Sequence, residues 1–249
     1  MFRMHMPAFR NAVGVIAVWL MLTTGAHAEP SPSVLVDPPR ETFLILPLHV
    51  HVLRCADRPD LDCALTDDDV HRVVGKVNAI WHRAGVHFRL EPILREKAEH
   101  VQEFAEKTND PAVNTSLDEY RQLAPAASRA LAGLHVYYIH RFSVNGVFLG
   151  GRMCFVQETA KLRPVEDGID EPLPRVTSHE LGHSLGLPHR QDVTNLMASG
   201  TTGTKLNAAE VEIVRGKARK VDGVMTVKDA EAKAAGDEAV RKDLEQLPK

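Results

Sequence analysis

The sequence predicts an α+β fold of α/β-like character, and two observations predict it. An apolar, β-branched stretch that alternates at its end, Phe43–Leu53, and an alternating one, Val86–Leu90, flank a stretch with helical spacing, Val70, Val73, Val74, Val77 and Trp81. Strand, long helix and strand in that order favour a parallel pair joined by a right-handed crossover. Further on the pattern continues as helix, strands, helix, turn, helix. The 249 residues suit one large domain or two small ones. A net charge of −3 gives no footprint for nucleic acid or for an anionic membrane surface.

The N-terminal segment reads as processing rather than fold. Arg3 and Arg10 precede an apolar run, Ala12–Thr24, that is short for a membrane span, and Ala26-His27-Ala28 has the small-residue pattern of a cleavage site. Residues 1–28 therefore read as a signal peptide, giving a secreted or periplasmic product that starts at Glu29 and has no membrane anchor afterwards. Residues 29–41 form a short proline-rich leader. Beyond Val221 the composition turns to Ala, Lys, Glu and Asp, so residues 222–249 read as a charged tail, either a solvated helix or disordered.

Between these ends the elements can be justified in order. Phe43–Leu53 is a strand, and Pro47 within it argues for an edge position or a bulge. His49 and His51 share one of its faces; a pair so spaced is either a polar pair on the sheet or the start of a second metal site. Thr66 caps a helix that opens on Asp67, Asp68 and Asp69, with Asp69 at the capping-box position, and Gly85 ends it. Val86–Leu90 is the second strand. His100–Ala132 is helical and polar, broken at Asn109–Pro111 and at Pro125, with a formal glycosylation sequon at Asn114. Leu134–Phe142 and Arg152–Gln157 are strands, Val147–Leu149 is a short apolar piece between the turn Asn145-Gly146 and a break at Gly150-Gly151, and Leu206–Arg219 is an amphipathic helix capped by Asn207. Cys55 and Cys63 bracket a short polar loop, and in an oxidising compartment they can pair, leaving Cys154 as a buried thiol.

The chemistry is concentrated in Thr177–Ser199, TSHELGHSLGLPHRQDVTNLMAS. A helix advances about 100° per residue, so His179 and His183 lie one turn apart on one face and both imidazoles can reach one ion. Glu180 stands beside the first of them, within reach of a water on that ion. Gly186 can take a positive φ, which ends the helix and turns the chain back. Pro188 stiffens the return, and His189 arrives as a third nitrogen. Three neutral imidazoles with a fourth position open is the arrangement of a catalytic zinc, on which a water's pKa falls to about 7.

This HExxHxxGxxH stretch, followed by the turn Asn195-Leu196-Met197, resembles the metzincin clan of zinc endopeptidases. The resemblance implies His179, His183 and His189 as ligands of one catalytic zinc, Glu180 as general base, and Met197 as a floor beneath the metal. It implies a metzincin-type catalytic domain over residues 42–221. That domain has a twisted, mostly parallel sheet with one antiparallel edge strand, a backing helix, the zinc-site helix and a C-terminal helix. The edge strand, which in the family pairs with extended substrate, would lie within Gly146–Val156. The subfamily is left unassigned. Asp192 names no group, and Tyr120, Tyr137 and Tyr138 all lie upstream of the turn, where no tyrosine ligand would come from. Asp192 itself either braces a ligand's free ring nitrogen or caps a surface turn.

The implied activity is a zinc-dependent endopeptidase acting on a peptide or protein substrate. Two other functions use the same ligand set: a zinc-binding or adhesion protein without turnover, and a zinc amidase acting on a non-protein substrate. Glu180 argues against the first, because a purely structural site needs no base.

Overall fold

Strand β1 (Leu44–Arg54) is the axis of the sheet, and its sequence shows why. Leu44, Leu46, Leu48, Val50 and Val52 all enter one apolar core, while the residues between them face the other side. A strand buried on both faces has to sit inside a sheet. A computed structural model describes residues 37–108 and 117–248. The signal peptide, most of the proline-rich leader, the break at Asn109–Pro111 and the sequon at Asn114 lie outside the described residues.

The sheet order is β2–β1–β4–β6–β5. Strands β2 (Val86–Leu90), β3 (Leu94–Lys97), β4 (Leu134–Ile139) and β6 (Met153–Gln157) run parallel, β2 and β3 lying end to end along one side of β1. Strand β5 (Gly146–Phe148) is antiparallel to β6 and forms the edge. The mostly parallel sheet with an antiparallel edge strand is the architecture expected; a second, short antiparallel pairing is made by Met225–Thr226 on the start of β1.

Pro47 is a correction. It stands in the central strand, not at an edge or bulge. On that side of β1 the short strand β7 (Met225–Thr226) pairs only with Leu44 and Ile45, and β4 begins opposite Leu48. Pro47 falls in the gap between them, where no ladder bond asks for its missing N–H.

Helix α1 (Asp67–Trp81) begins with the capping box between Thr66 and Asp69, and its valines and Trp81 pack on the sheet. A 3-10 turn, His82–Ala84, and Gly85 at φ 64° finish it. On the opposite face, α2 (Val101–Thr108) and α3 (Leu117–Leu123) contribute Phe104, Tyr120 and Leu123 to a second core with Tyr137 and Phe155. The short α4 (Ala126–Arg129) follows. Each buried Val, Leu or Phe in these cores stabilises the fold by about 1.5–3 kcal/mol before entropy is subtracted.

The charged segment after Val221 is a second correction. It is folded: β7, α7 (Val227–Lys233) and α8 (Glu238–Gln246) cover the start of β1. Met225, Val227, Ala230, Val240, Leu244 and Leu247 enclose Phe43 and Ile45. The apolar positions are sparse but fall on one face of each helix, so overall composition hides them. No helix among the described residues is long and apolar enough to cross a membrane.

Candidate metal centre

The site is built on α5 (Pro172–Ser184). Pro172 occupies the first turn, where a missing N–H costs nothing. Glu171, just before it, pairs with Arg72 and, at 3.0 Å, with Lys76, which ties the start of α5 to α1. Every residue from Leu173 to Gly182 is buried. The helix ends in a Schellman turn. Gly186 takes φ 88°, its N–H bonds to His183 O at 2.9 Å, and Leu187 N–H reaches back to Gly182 O at 2.9 Å. The chain then reverses and delivers His189.

The three rings converge. His183 Nε2 lies 3.2 Å from His179 Nε2 and 3.2 Å from His189 Nε2. The rings of His179 and His189 each stand perpendicular to that of His183, at 90° and 88°. The outer nitrogens of two rings face acceptors: His179 Nδ1 bonds to Leu196 O at 2.9 Å and His183 Nδ1 to Leu187 O at 2.8 Å. A carbonyl accepts, so on His183 Nδ1 carries the hydrogen and Nε2 keeps its lone pair turned inward; on His179 the Leu196 carbonyl favours the same tautomer, while Arg175 Nη1, 3.1 Å from Nδ1, opposes it. Inward lone pairs meeting at one point repel one another unless a cation lies among them. The donor set therefore fits a metal ion bound by three neutral imidazoles. Burial assists: it lowers the pKa of His179 to about 3 and that of His183 below its usual value.

Glu180 is buried beside the triad, and burial raises its pKa to about 8, with the Arg175 charge pulling the other way. A dication at the triad would pull it further down. A Cβ at Gly146 would come within 2.7 Å of Glu180 Oε1, so strand β5 can lie this close to the carboxylate only because it carries glycine there. Met197 is fully buried, and a Cβ at Gly182 would come 2.6 Å from its sulfur, which places the methionine directly under the helix. The triad and Glu180 open into a cleft of about 470 Å³ walled by β5 and by Ser199 and Gly200.

Four groups that sequence reasoning passed over hold the site together. Arg175, one turn before His179, is 1% exposed and donates to Gly203 O, Asn195 O and Ala198 O. Glu210, fully buried at the start of α6 (Ala208–Ala218), accepts from Arg190 Nε at 2.6 Å, Asn195 Nδ2 at 2.9 Å and Asn207 N at 2.9 Å. Asn195 Oδ1 accepts from Met197 N at 2.7 Å. Arg190 follows His189, so the capping box of α6 also braces the third histidine. The available signal was an arginine four residues before a ligand inside an otherwise buried helix.

Asp192 resolves to the turn-capping role: its carboxylate accepts from Thr194 N and Thr194 Oγ1. His49 and His51 lie on the sheet face away from the triad. His51 bonds to Glu96 at 2.6 Å and to His135 at 3.0 Å, while His49 Nε2 bonds to Ala132 O at 2.7 Å. Among the described residues the group able to hold a metal ion is His179, His183 and His189. Tyr138 spends its hydroxyl on Thr177 at 2.8 Å, inside the core. The disulfide between Cys55 and Cys63 is not formed; all three cysteines are free and buried. The loop between them is closed instead by Arg54 on Asp62 at 2.8 Å and by Cys63 N on Leu53 O at 3.0 Å.

No family model and no curated protein matches the chain. Solved structures do. The chain is similar to archaemetzincin from Methanopyrus kandleri. The match has 14% identity, covers 73% of this chain and 98% of that one, and gives a TM-score of 0.46.

Proposed function

We propose that this chain is a zinc-dependent endopeptidase, exported by the signal peptide read in residues 1–28. The observation that carries the reading is the convergence of three Nε2 atoms beside a buried carboxylate in a cleft bordered by a strand edge. His179, His183 and His189 would hold the ion, and bound zinc would polarise a scissile carbonyl and acidify a water. Glu180 would take the proton of the attacking water and pass it to the leaving amine. Among the described residues strand β5 has a partner only on its β6 side, so its other edge has N–H and C=O groups to pair with an extended peptide. Val144, Val147, Val176 and Phe148 line the cleft and would exclude water from the bond being cut.

The test is incubation of the purified protein with a denatured protein mixture, with and without a chelator, followed by sequencing of the cuts. Chelator-sensitive cleavage at internal bonds supports the proposal. Zinc binding without any cleavage would favour a binding protein, and release of ammonia or acyl groups from non-protein amides would favour an amidase. Export is tested separately by mass spectrometry of the secreted or periplasmic product, which should begin at Glu29.

A further inference from the structure

Arg175 is a buried cation whose described bonds go to backbone carbonyls and a ring nitrogen rather than to a carboxylate. Such a placement costs solvation, and burial lowers its pKa to about 10. What it offers in return is a planar fork of donors that can hold several acceptors in fixed relation. Its acceptors are Gly203 O at 3.0 Å, Ala198 O at 2.6 Å and Asn195 O at 3.3 Å. Asn195 and Ala198 flank Leu196 and Met197. The carbonyl of Leu196 is the acceptor for His179 Nδ1.

We propose that Arg175 is a positioning residue for the metal site: it pins loop 195–203 so that Leu196 O meets His179 Nδ1 and turns Nε2 toward the other two rings. The proposal rests on the triad holding a metal, not on peptide hydrolysis. An opposing contact fixes its sign. Arg175 Nη1 lies 3.1 Å from the same Nδ1, and as a donor it would favour the hydrogen on Nε2, the tautomer that cannot bind metal. If the three carbonyl bonds dominate, losing Arg175 weakens metal binding. If the rivalry for Nδ1 dominates, losing it tightens binding.

The experiment compares the full-length wild type with Arg175→Gln and Arg175→Lys. It reads zinc affinity by chelator competition, the ¹⁵N shifts of His179, and hydrogen exchange of the amides in loop 195–203. Arg175→Gln should bind zinc about 10–100-fold more weakly, with Arg175→Lys between it and wild type. Its metal-free His179 should show a mixture of tautomers, and the loop amides should exchange faster. A general loss of stability would not single out these signals. Should Arg175→Gln fail to fold, Arg175→Lys carries the test with the same sign. Zinc affinity that is unchanged or higher in a folded variant would overturn the proposal. A wild type that binds no zinc would overturn the metal reading instead. Loop exchange in the metal-free proteins would then still judge the pinning: faster exchange upholds it and unchanged exchange refutes it.

Discussion

Glu210→Gln is the sharpest test of how the site is braced. Three groups meet the carboxylate, and all three are donors: Arg190 Nε, Asn195 Nδ2 and Asn207 N. Glutamine replaces one acceptor oxygen with an NH₂. Whichever way the amide is turned, a donor faces a donor at a position that is fully buried. The less costly orientation sets the NH₂ against Arg190, because its side chain is 30% exposed and can turn to water. Losing a charge-assisted bond costs about 1.5–3 kcal/mol, and an unpaired buried amide costs about 1–3 kcal/mol more. With Arg190 partly relieved by solvent, about 2–3 kcal/mol remains. For a domain of this size that is a fall of about 4–12 °C in Tm. Thermal unfolding of the metal-free proteins measures it. A double-mutant cycle with Arg190→Ala should show coupling of at least about 0.5 kcal/mol, because Arg190 is the partner the amide loses. A Tm within about 2 °C of wild type, or strictly additive effects, would refute the bracing argument.

The other predictions concern the metal, the base and the C-terminal segment. Glu180→Gln should retain zinc and lose about 10²–10⁴ in turnover, whereas His183→Ala should lose metal and activity together; equal turnover in Glu180→Gln would reject the assigned base. Burial holds His179 at about 3 and His183 below its usual value, so protons compete poorly for both rings near neutrality. Three ordinary imidazoles would lose about a thousandfold in metal affinity on acidification from pH 7.5 to 5.5. Titration with a pH-insensitive chelator should find a much smaller fall, and a full thousandfold loss would contradict the burial argument. Truncation after Val221 should uncover Phe43 and Ile45 and give an insoluble or markedly less stable protein, read by yield and by Tm.

Local signals were legible in the sequence and distant ones were not. The cap of α1 and the extent of β2 follow from residues within a few positions of each other, and the structure has them where the periodicity put them. The HExxHxxGxxH spacing likewise encodes its own geometry, because helix pitch and one positive-φ glycine fix where the third ring arrives. Strand β3 gave no signal: Leu94–Lys97 is four residues of half-exposed chain, and only β1 makes it a strand. The roles of Arg175 and Glu210 depend on partners 15 to 28 residues away that a periodicity reading does not connect. Their one local mark was that each is a charge on a helix face turned inward.

The two histidine clusters show why spacing, and not the number of histidines, marks a metal site. On a strand, alternate side chains point the same way with their stems parallel, so His49 and His51 stand side by side, their rings tilted 38° and their centroids 6.3 Å apart. Their neighbour on β4, His135, stacks between them at 5.0 and 5.3 Å. Parallel rings direct their nitrogens along the sheet, where one meets a carboxylate, one another ring and one a backbone carbonyl, and each finds a hydrogen-bonding partner of its own. On a helix the i and i+4 stems diverge from a curved surface, and a reversing turn can bring a third ring in from the far side. There the nitrogens at 3.2 Å have one another and no separate acceptors. Two facing nitrogens can share one hydrogen. Three that point to a common centre cannot all be satisfied by one another, and that donor set suits a cation at the centre.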